Sequence, residues 1–326
     1  MIHNLKIKRF KSIKEIELVC KRVNLFIGHP NSGKSNILEA LGLLSFCGHI
    51  ATNIKDFIRF DLTQYLFYDG LVDEPIEIQV DNALITKIIF KGSDFNITVN
   101  RHGGVQNEIM RNISNNGHIP SGFVIVIKEF EPIKFYRFKQ LAEYKDTTPS
   151  PLNVPSGSNL FNVVYGSKNI REFATQLFKQ FGFRLIYKLH EFKFELLKEK
   201  ADEFVSLPYS QVSDTLQRIL FYYAAIESNE NATLIFEEPE SNAFPYYVKF
   251  LSELIALNEK NQYFITTHNP YFLQAILEKT KKEHLAIFAV YYKDGQTKIK
   301  PLFDKDLERM FEGDPFFMID DFVVEK

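Results

Sequence analysis

Gly28-His-Pro-Asn-Ser-Gly33-Lys34-Ser35 is the stretch on which the reading of this 326-residue chain turns. The apolar segment Val23-Asn-Leu-Phe-Ile27 runs into it, and Asn36 leads into a pattern with Ile37, Leu38, Leu41 and Leu44 on one helical face. A strand, a glycine turn and a helix in that order make a phosphate-binding loop. Gly28 and Gly33 let the backbone curl so that successive N–H groups, through Asn31 and Ser32, point at an anion, and Asn36 is counted with them among the phosphate-binding residues. The start of the following helix adds its positive end to the same place. Lys34 supplies a full charge to the outer phosphates, and the Ser35 hydroxyl suits a bound Mg²⁺. The expected ligand is a nucleoside triphosphate, arriving with Mg²⁺.

Two further segments read as the other half of that site. Leu234-Ile-Phe-Glu-Glu-Pro-Glu240 is an apolar strand that ends in adjacent carboxylates. A buried strand delivers its last residues to the sheet edge where open α/β folds bind ligands. Glu237 is expected to hold the metal through its water shell, and Glu238 to orient and polarise the attacking water. In Ile265-Thr-Thr-His268-Asn-Pro270, Asn269 is a natural N-cap and Pro270 suits the first helical turn. His268 therefore falls on a strand-to-helix corner at the same edge, where an imidazole can hydrogen-bond a γ-phosphate.

Composition narrows the class. The chain is 45% hydrophobic, with 32 Phe and 15 Tyr, enough for a sizeable core. A formal net charge of −2 gives no global basic footprint for nucleic acid, although Lys6, Lys8, Arg9, Lys11 and Lys14 cluster near the N-terminus. Cys20 and Cys47 read as small buried hydrophobes in a reducing compartment. No apolar stretch approaches a membrane span and the N-terminus lacks a signal-peptide run, so a cytoplasmic location is expected.

Strand patterns cover the N-terminal part: Leu5 with Ile7, 13–18, 23–27, 76–80, 84–90 and 95–99, the last two punctuated by Gly92-Ser93. Residues 100–120 read as polar and irregular, 122–128 as a buried strand, and 146–159, with three prolines, as a loop. Helical spacing resumes at Ile170, Phe173, Leu177 and Phe178, while 185–197 alternates without a clear turn signal. The last third alternates helix and strand: helix at 216–223, strand at 233–237, helix at 246–257, strand at 263–266, helix at 270–278, strand at 286–291. That alternation implies a parallel sheet covered on both faces. Heptad runs are absent from the sequence, which speaks against long coiled-coil arms.

The order of glycine loop, serine-containing turn before a helix, Glu-Glu strand and Thr-Thr-His resembles the ABC-type ATPase heads, and more narrowly the OLD, RecF and SMC-related branch. Leu5-Lys-Ile-Lys-Arg-Phe-Lys-Ser-Ile13 is similar to the first hairpin of those proteins, and Glu237-Glu-Pro-Glu240 to the OLD-like Walker B motif. Where the branch often carries His-x-His-Pro, this chain reads Asn242-Ala-Phe-Pro245. The resemblance implies an α/β P-loop NTPase with an ABC-ATPase-like head: a β-rich N-terminal part, a parallel sheet flanked by helices, and a mixed insertion lobe. On that pattern 1–130 and 217–326 form the nucleotide-binding core and 131–216 the second lobe. It also implies that ATP is sandwiched between two protomers, each P-loop facing a signature motif of the other. The matching segment is Pro208-Tyr-Ser-Gln-Val-Ser-Asp-Thr-Leu-Gln-Arg218, with Ser213 as the trans residue, Ser210 in reserve, and Thr215 in place of the usual glycine. Gln64 and Arg59 are the candidates for the family's glutamine loop and for its arginine after the first helix.

The leading expectation is thus a slow ATPase whose ATP-bound homodimer is a conformational switch. No second catalytic module is evident after the head, so an effector is expected on a separate chain, as for stand-alone AAA-type ATPases of anti-phage or toxin-like bacterial operons. A RecF-like, ATP-controlled DNA clamp and a weakly hydrolysing nucleotide-dependent scaffold are the alternatives.

Overall fold

The computed structural model describes residues 1–81, 83–91, 94–101, 111–119, 126–200, 203–313 and 315–323. The chain opens with the antiparallel strands β1 (Asn4–Phe10) and β2 (Ile13–Val19), then β3 (Val23–Ile27), whose five residues are all buried. The glycine loop and α1 (Lys34–Gly48) follow. Next come β4 (Ile76–Val80), β5 (Leu84–Lys91), β6 (Asp94–Arg101) and β7 (Arg111–Ile113), which join the first two strands in an antiparallel sheet ordered β2-β1-β4-β5-β6-β7.

The chain continues through β8 (Ile133–Tyr136), α2 (Leu160–Gly166) and α3 (Lys168–Lys179) into β9 (Phe183–Lys188), β10 (Lys193–Lys200) and β11 (Glu203–Pro208). The alternation along 185–197 thus resolves into two strands of a three-stranded antiparallel sheet, which β11 completes. Its inner face, with Leu185, Phe194 and Leu196, packs on Phe161 of α2 and Phe178 of α3. Then follow α4 (Asp214–Glu227), β12 (Thr233–Glu237), α5 (Pro245–Leu257), β13 (Gln262–Thr266), α6 (Pro270–Lys279), β14 (Leu285–Lys293), β15 (Gln296–Leu302), α7 (Asp304–Glu312) and α8 (Ile319–Val323).

The core sheet runs β15-β14-β3-β13-β12-β8, parallel except for β15. One face packs on α1, with Phe26, Phe264 and Phe288 from three adjacent strands stacked beneath it. The other face packs on α4, α5 and α6. Because α1 lies between the core sheet and the antiparallel sheet, it is buried all round from Ile37 to Gly48, beyond the single face its spacing indicated.

Three features depart from the sequence reading. β8 falls within 131–216, the stretch set apart from the core, yet it pairs with β12 along the outer edge of the core sheet. Its apolar run is broken by Lys134, which stays buried because its Nζ donates to Asn229 Oδ1 at 2.7 Å. β7 forms inside the stretch expected to be irregular. β15, rich in lysine and proline signals, had no apolar alternation to reveal it. The turn at Gly92-Ser93 and most of the strand expected at 122–128 lie outside the described residues, and Lys128 begins a 3₁₀ turn.

Candidate nucleotide site

The parallel register sets the site. Phe26 pairs with Thr266 and with Phe288, and Glu237 with Thr266, so β3, β12 and β13 end at the same level. The glycine loop, the Glu237-Glu238 pair and the His268 corner therefore converge at one sheet edge.

The glycine loop is tightly enclosed. A Cβ on Gly28 would meet Val290 O at 2.1 Å, and one on Gly33 (φ +97) would meet Thr297 Oγ1 at 1.9 Å. Neither position admits another residue. Asn31 takes a left-handed conformation (φ 60), and Ser32 N donates to His29 O at 3.3 Å to close the turn. Lys34 Nζ curls back onto Gly28 O at 2.7 Å and His29 O at 2.8 Å. Burial pushes its ammonium down to about 8, opposed by the charge of Glu238. Ser35 stands half-buried on the first turn of α1. The side chain of Asn36 does not face the loop's interior: its Nδ2 donates to Ser12 Oγ at 2.7 Å.

Two residues that sequence reasoning missed brace this loop. Ser12, between β1 and β2, and Thr297, on β15, lie 2.7 Å apart through their hydroxyls, and Thr297 Oγ1 donates to Ser32 O at 3.0 Å. They are brought together across 285 positions of sequence, so no local motif could carry them. His29 faces Asp320 of α8, with Nε2 3.0 Å from Oδ1.

Glu238 is the hinge of the acidic turn. It holds φ 43, uncommon for a residue with a side chain, and its N–H donates to Thr266 O at 3.1 Å. Its carboxylate lies 3.0 Å from His268 Nε2 and accepts from Ser241 Oγ at 3.2 Å. The hydrogen bond from His268 is the main cause that holds its pKa below the usual carboxylate range. Asn269 caps α6 as expected, accepting from Tyr271 N and Phe272 N at 2.9 and 3.2 Å.

Glu237 sits in a different environment. Its carboxylate pairs with Arg59 and lies 3.6 Å from Arg137, the residue after β8. Both guanidinium groups also reach Glu39 of α1, at 2.9 and 3.5 Å, and Lys11 completes the cluster from the β1–β2 turn. Glu39 is only 1% exposed, so three cations around it replace the water it has lost. Sequence reasoning missed Glu39 and Arg137; a lone Glu inside the apolar run Ile37-Leu-Glu-Ala-Leu41 was the available signal. Lys11 belongs to this cluster. The other basic residues of the N-terminal hairpin pair mainly with acids: Lys6 with Glu15 and Glu17, Lys8 with Glu15, Arg9 with Glu74 and Glu77. Gln64 lies on the 3₁₀ turn Thr63–Leu66, and the contacts to Glu237 come from Arg59 and Arg137 instead.

Ser213 is the exposed N-cap of α4, with its hydroxyl not used in a cap hydrogen bond. Ser210 is exposed on the preceding 3₁₀ turn. Thr215 donates to Asn242 O at 2.8 Å, tying the start of α4 to the turn after Glu240.

A family model described as "AAA domain, putative AbiEii toxin, Type IV TA system" matches residues 23–274. The chain belongs to that AAA family. No curated protein matches it in sequence. Among solved structures, it is similar to an SMC head bound to the C-terminal winged-helix domain of ScpA, at 16% identity over 93% of this chain and 98% of that one, with a TM-score of 0.53. It is also similar to the Pyrococcus furiosus SMC head with an extended coiled coil bound to the C-terminal domain of ScpA, at 13% identity over 95% and 98%, with a TM-score of 0.50. The fold is that of an ABC-type ATPase head of the SMC and RecF-related kind. Among the described residues, no helix is long and apolar enough to cross a membrane.

Proposed function

We propose that the chain is an ATP-binding and ATP-hydrolysing switch that dimerises around ATP and regulates a separate effector protein. The observation that carries this reading is the convergence of Lys34, Glu238 and His268 on one sheet edge, with Glu238 and His268 3.0 Å apart. Backbone N–H groups at the end of the loop and the start of α1, from Gly33 to Ser35, hold the phosphates, and Lys34 exchanges its two carbonyl partners for the β- and γ-phosphate oxygens. Glu238, kept ionised by His268, accepts a hydrogen bond from the attacking water and orients it. His268 donates to the γ-phosphate and so reports its presence. Asn36 acts indirectly, by bracing the loop through Ser12.

The donor set fits Mg²⁺: a hydroxyl and a carboxylate are hard oxygen ligands. Ser35 would hold it directly and Glu237 through water, and the ion supplies positive charge to the phosphates. Ser213, with Ser210 in reserve, faces the γ-phosphate of the partner protomer across the sandwich. The family's description as a toxin of a type IV toxin–antitoxin system supports an operon-encoded partner and a defence-like role. Buried thiols at Cys20 and Cys47 support a reducing, cytoplasmic setting. The ion pairs on Lys6, Lys8 and Arg9 weigh against a DNA clamp, because they spend the charge that phosphates would need. The scaffold reading rests on Thr215, whose tie to Asn242 O replaces the freedom of a signature glycine.

Glu238→Gln protein is expected to shift to a dimer with ATP and Mg²⁺ but not with ADP, read by light scattering. Ser213→Arg in the same background should block that shift while calorimetry still reports ATP binding. Turnover per protomer should rise with protein concentration. A concentration-independent rate from a proven monomer would overturn the sandwich.

A further inference from the structure

Glu240 is a buried acid for which the nucleotide motifs give no use. It follows Glu238 by two residues and is 5% exposed. Thr267 Oγ1 donates to its Oε1 and itself accepts from Asn269 N at 3.0 Å. The N–H groups of His268 and of Glu240 itself also act on the carboxyl. Its second oxygen, Oε2, is buried with no hydrogen-bond partner among the described residues. Burial raises the carboxyl to about 7, against the pull of the Thr267 hydroxyl, so the neutral acid is far more accessible here than for an ordinary carboxylate.

The position of this acid gives it a role. Glu238 and His268 belong to two separate loops, the turn from β12 to α5 and the corner from β13 to α6. The bond between them joins side chains that are each 39% exposed, where water competes for both groups. Glu238 also holds its left-handed backbone only because neighbouring bonds fix the turn: Glu238 N to Thr266 O, Ser241 N to Glu238 O at 3.0 Å and Ala243 N to Glu240 O at 3.0 Å. Underneath, the Glu240–Thr267 bond is a shielded side-chain link from the same turn to the same corner, beside the bonds of Glu238 N to Thr266 O and Oγ1.

Building on the catalytic reading of that pair, we infer that Glu240 is a positioning residue whose carboxyl, bonded to Thr267, clamps the turn carrying Glu238 to the corner carrying His268. Its part is to hold that pair in place for the phosphate and the attacking water. It fixes the distance at which the pair meets them, and a displacement of about 1 Å at such a pair costs on the order of a hundredfold in rate.

Three variants test the clamp: Glu240→Ala, Glu240→Gln and Thr267→Val. Amide hydrogen exchange across residues 264–272 is followed in the nucleotide-free protein, ATP affinity by calorimetry, and kcat and KM at steady state. Glu240→Ala and Thr267→Val should speed exchange in that segment on the order of tenfold, as local opening replaces the shielded bond. Both should lower kcat about tenfold or more while ATP affinity stays within about twofold, because the glycine loop is untouched. Glu240→Gln keeps a neutral group of the same shape and should recover most of the protection and turnover.

The inference is overturned if Glu240→Gln is as damaging as Glu240→Ala or Thr267→Val. It is also overturned if affinity falls in step with kcat, or if both truncations leave exchange unchanged. A failure of Glu240→Ala to fold leaves the other two variants to decide. Turnover that Glu238→Gln does not reduce would instead sink the catalytic reading of Glu238, and the exchange data would still judge the clamp.

Discussion

The two halves of the nucleotide edge hold their key charges in opposite ways. On the glycine-loop side, Lys34 rests on the neutral carbonyls of Gly28 and His29. On the β12 side, Glu237 rests on the full charges of Arg59 and Arg137, which share Glu39 beneath. A dipole is a weak competitor for a buried ammonium, so an incoming phosphate displaces the carbonyls with a large gain. A carboxylate held by two guanidinium groups must leave them before it can serve a metal. On the proposed function, phosphate capture would be the prepared step, and recruitment of Glu237 the step that ATP has to drive.

The strongest way to break this comparison is Lys34→Ala. It should weaken Mg·ATP binding by a hundredfold or more, about 2.8 kcal/mol or above at tenfold per 1.4 kcal/mol. Calorimetry showing parent-like affinity would mean that the loop cation is not the group that captures phosphate.

Glu237→Gln addresses the other half. It should raise the Mg²⁺ concentration needed for half-maximal turnover on the order of tenfold, with ATP affinity measured in chelator nearly unchanged. If Glu237→Gln instead removes turnover at saturating Mg²⁺, and Glu238→Gln shifts the metal requirement, the two carboxylates exchange roles.

The smallest effect is set by pH. Lys34 titrates at about 8 in the ligand-free chain, and a phosphate beside it raises that value. Above pH 8 ATP must therefore bind with uptake of a proton, and affinity should fall by up to about tenfold per pH unit. Calorimetry in buffers of different ionisation heat measures the uptake; no uptake at pH 9 would show that Lys34 stays charged without ligand. The linkage to folding has the opposite sign. Between about 8 and the ordinary 10.5, the unfolded chain keeps a proton that the folded chain has lost, so this group's contribution to stability rises with pH.

What could be read from the chain and what could not divides along the same edge. The glycine loop and the His268 corner were legible because each is short and each residue type is forced by its job. Gly33 must lack a Cβ, Lys34 must carry charge, and Asn269 must cap the helix. The pairing within the opposite half was illegible because its partners are distant. Arg59 meets Glu237 across 178 positions, and Glu39 collects cations from the β1–β2 turn, from position 59 and from the end of β8. Read along the sequence, Lys11 was one more member of the basic cluster near the N-terminus.

The sequence by itself determined the phosphate loop, the alternation that makes a parallel sheet, and the presence of two acids and a histidine at strand ends. These follow from periodicity and from local backbone geometry, which act over a few residues. Only the tertiary structure decided which charges neutralise one another, that β8 and β15 close the two edges of the core sheet, and that Glu240 is buried beneath the Glu238–His268 pair. Burial and ion pairing depend on what packs against a side chain, and in this fold those neighbours come from elements tens to hundreds of residues away.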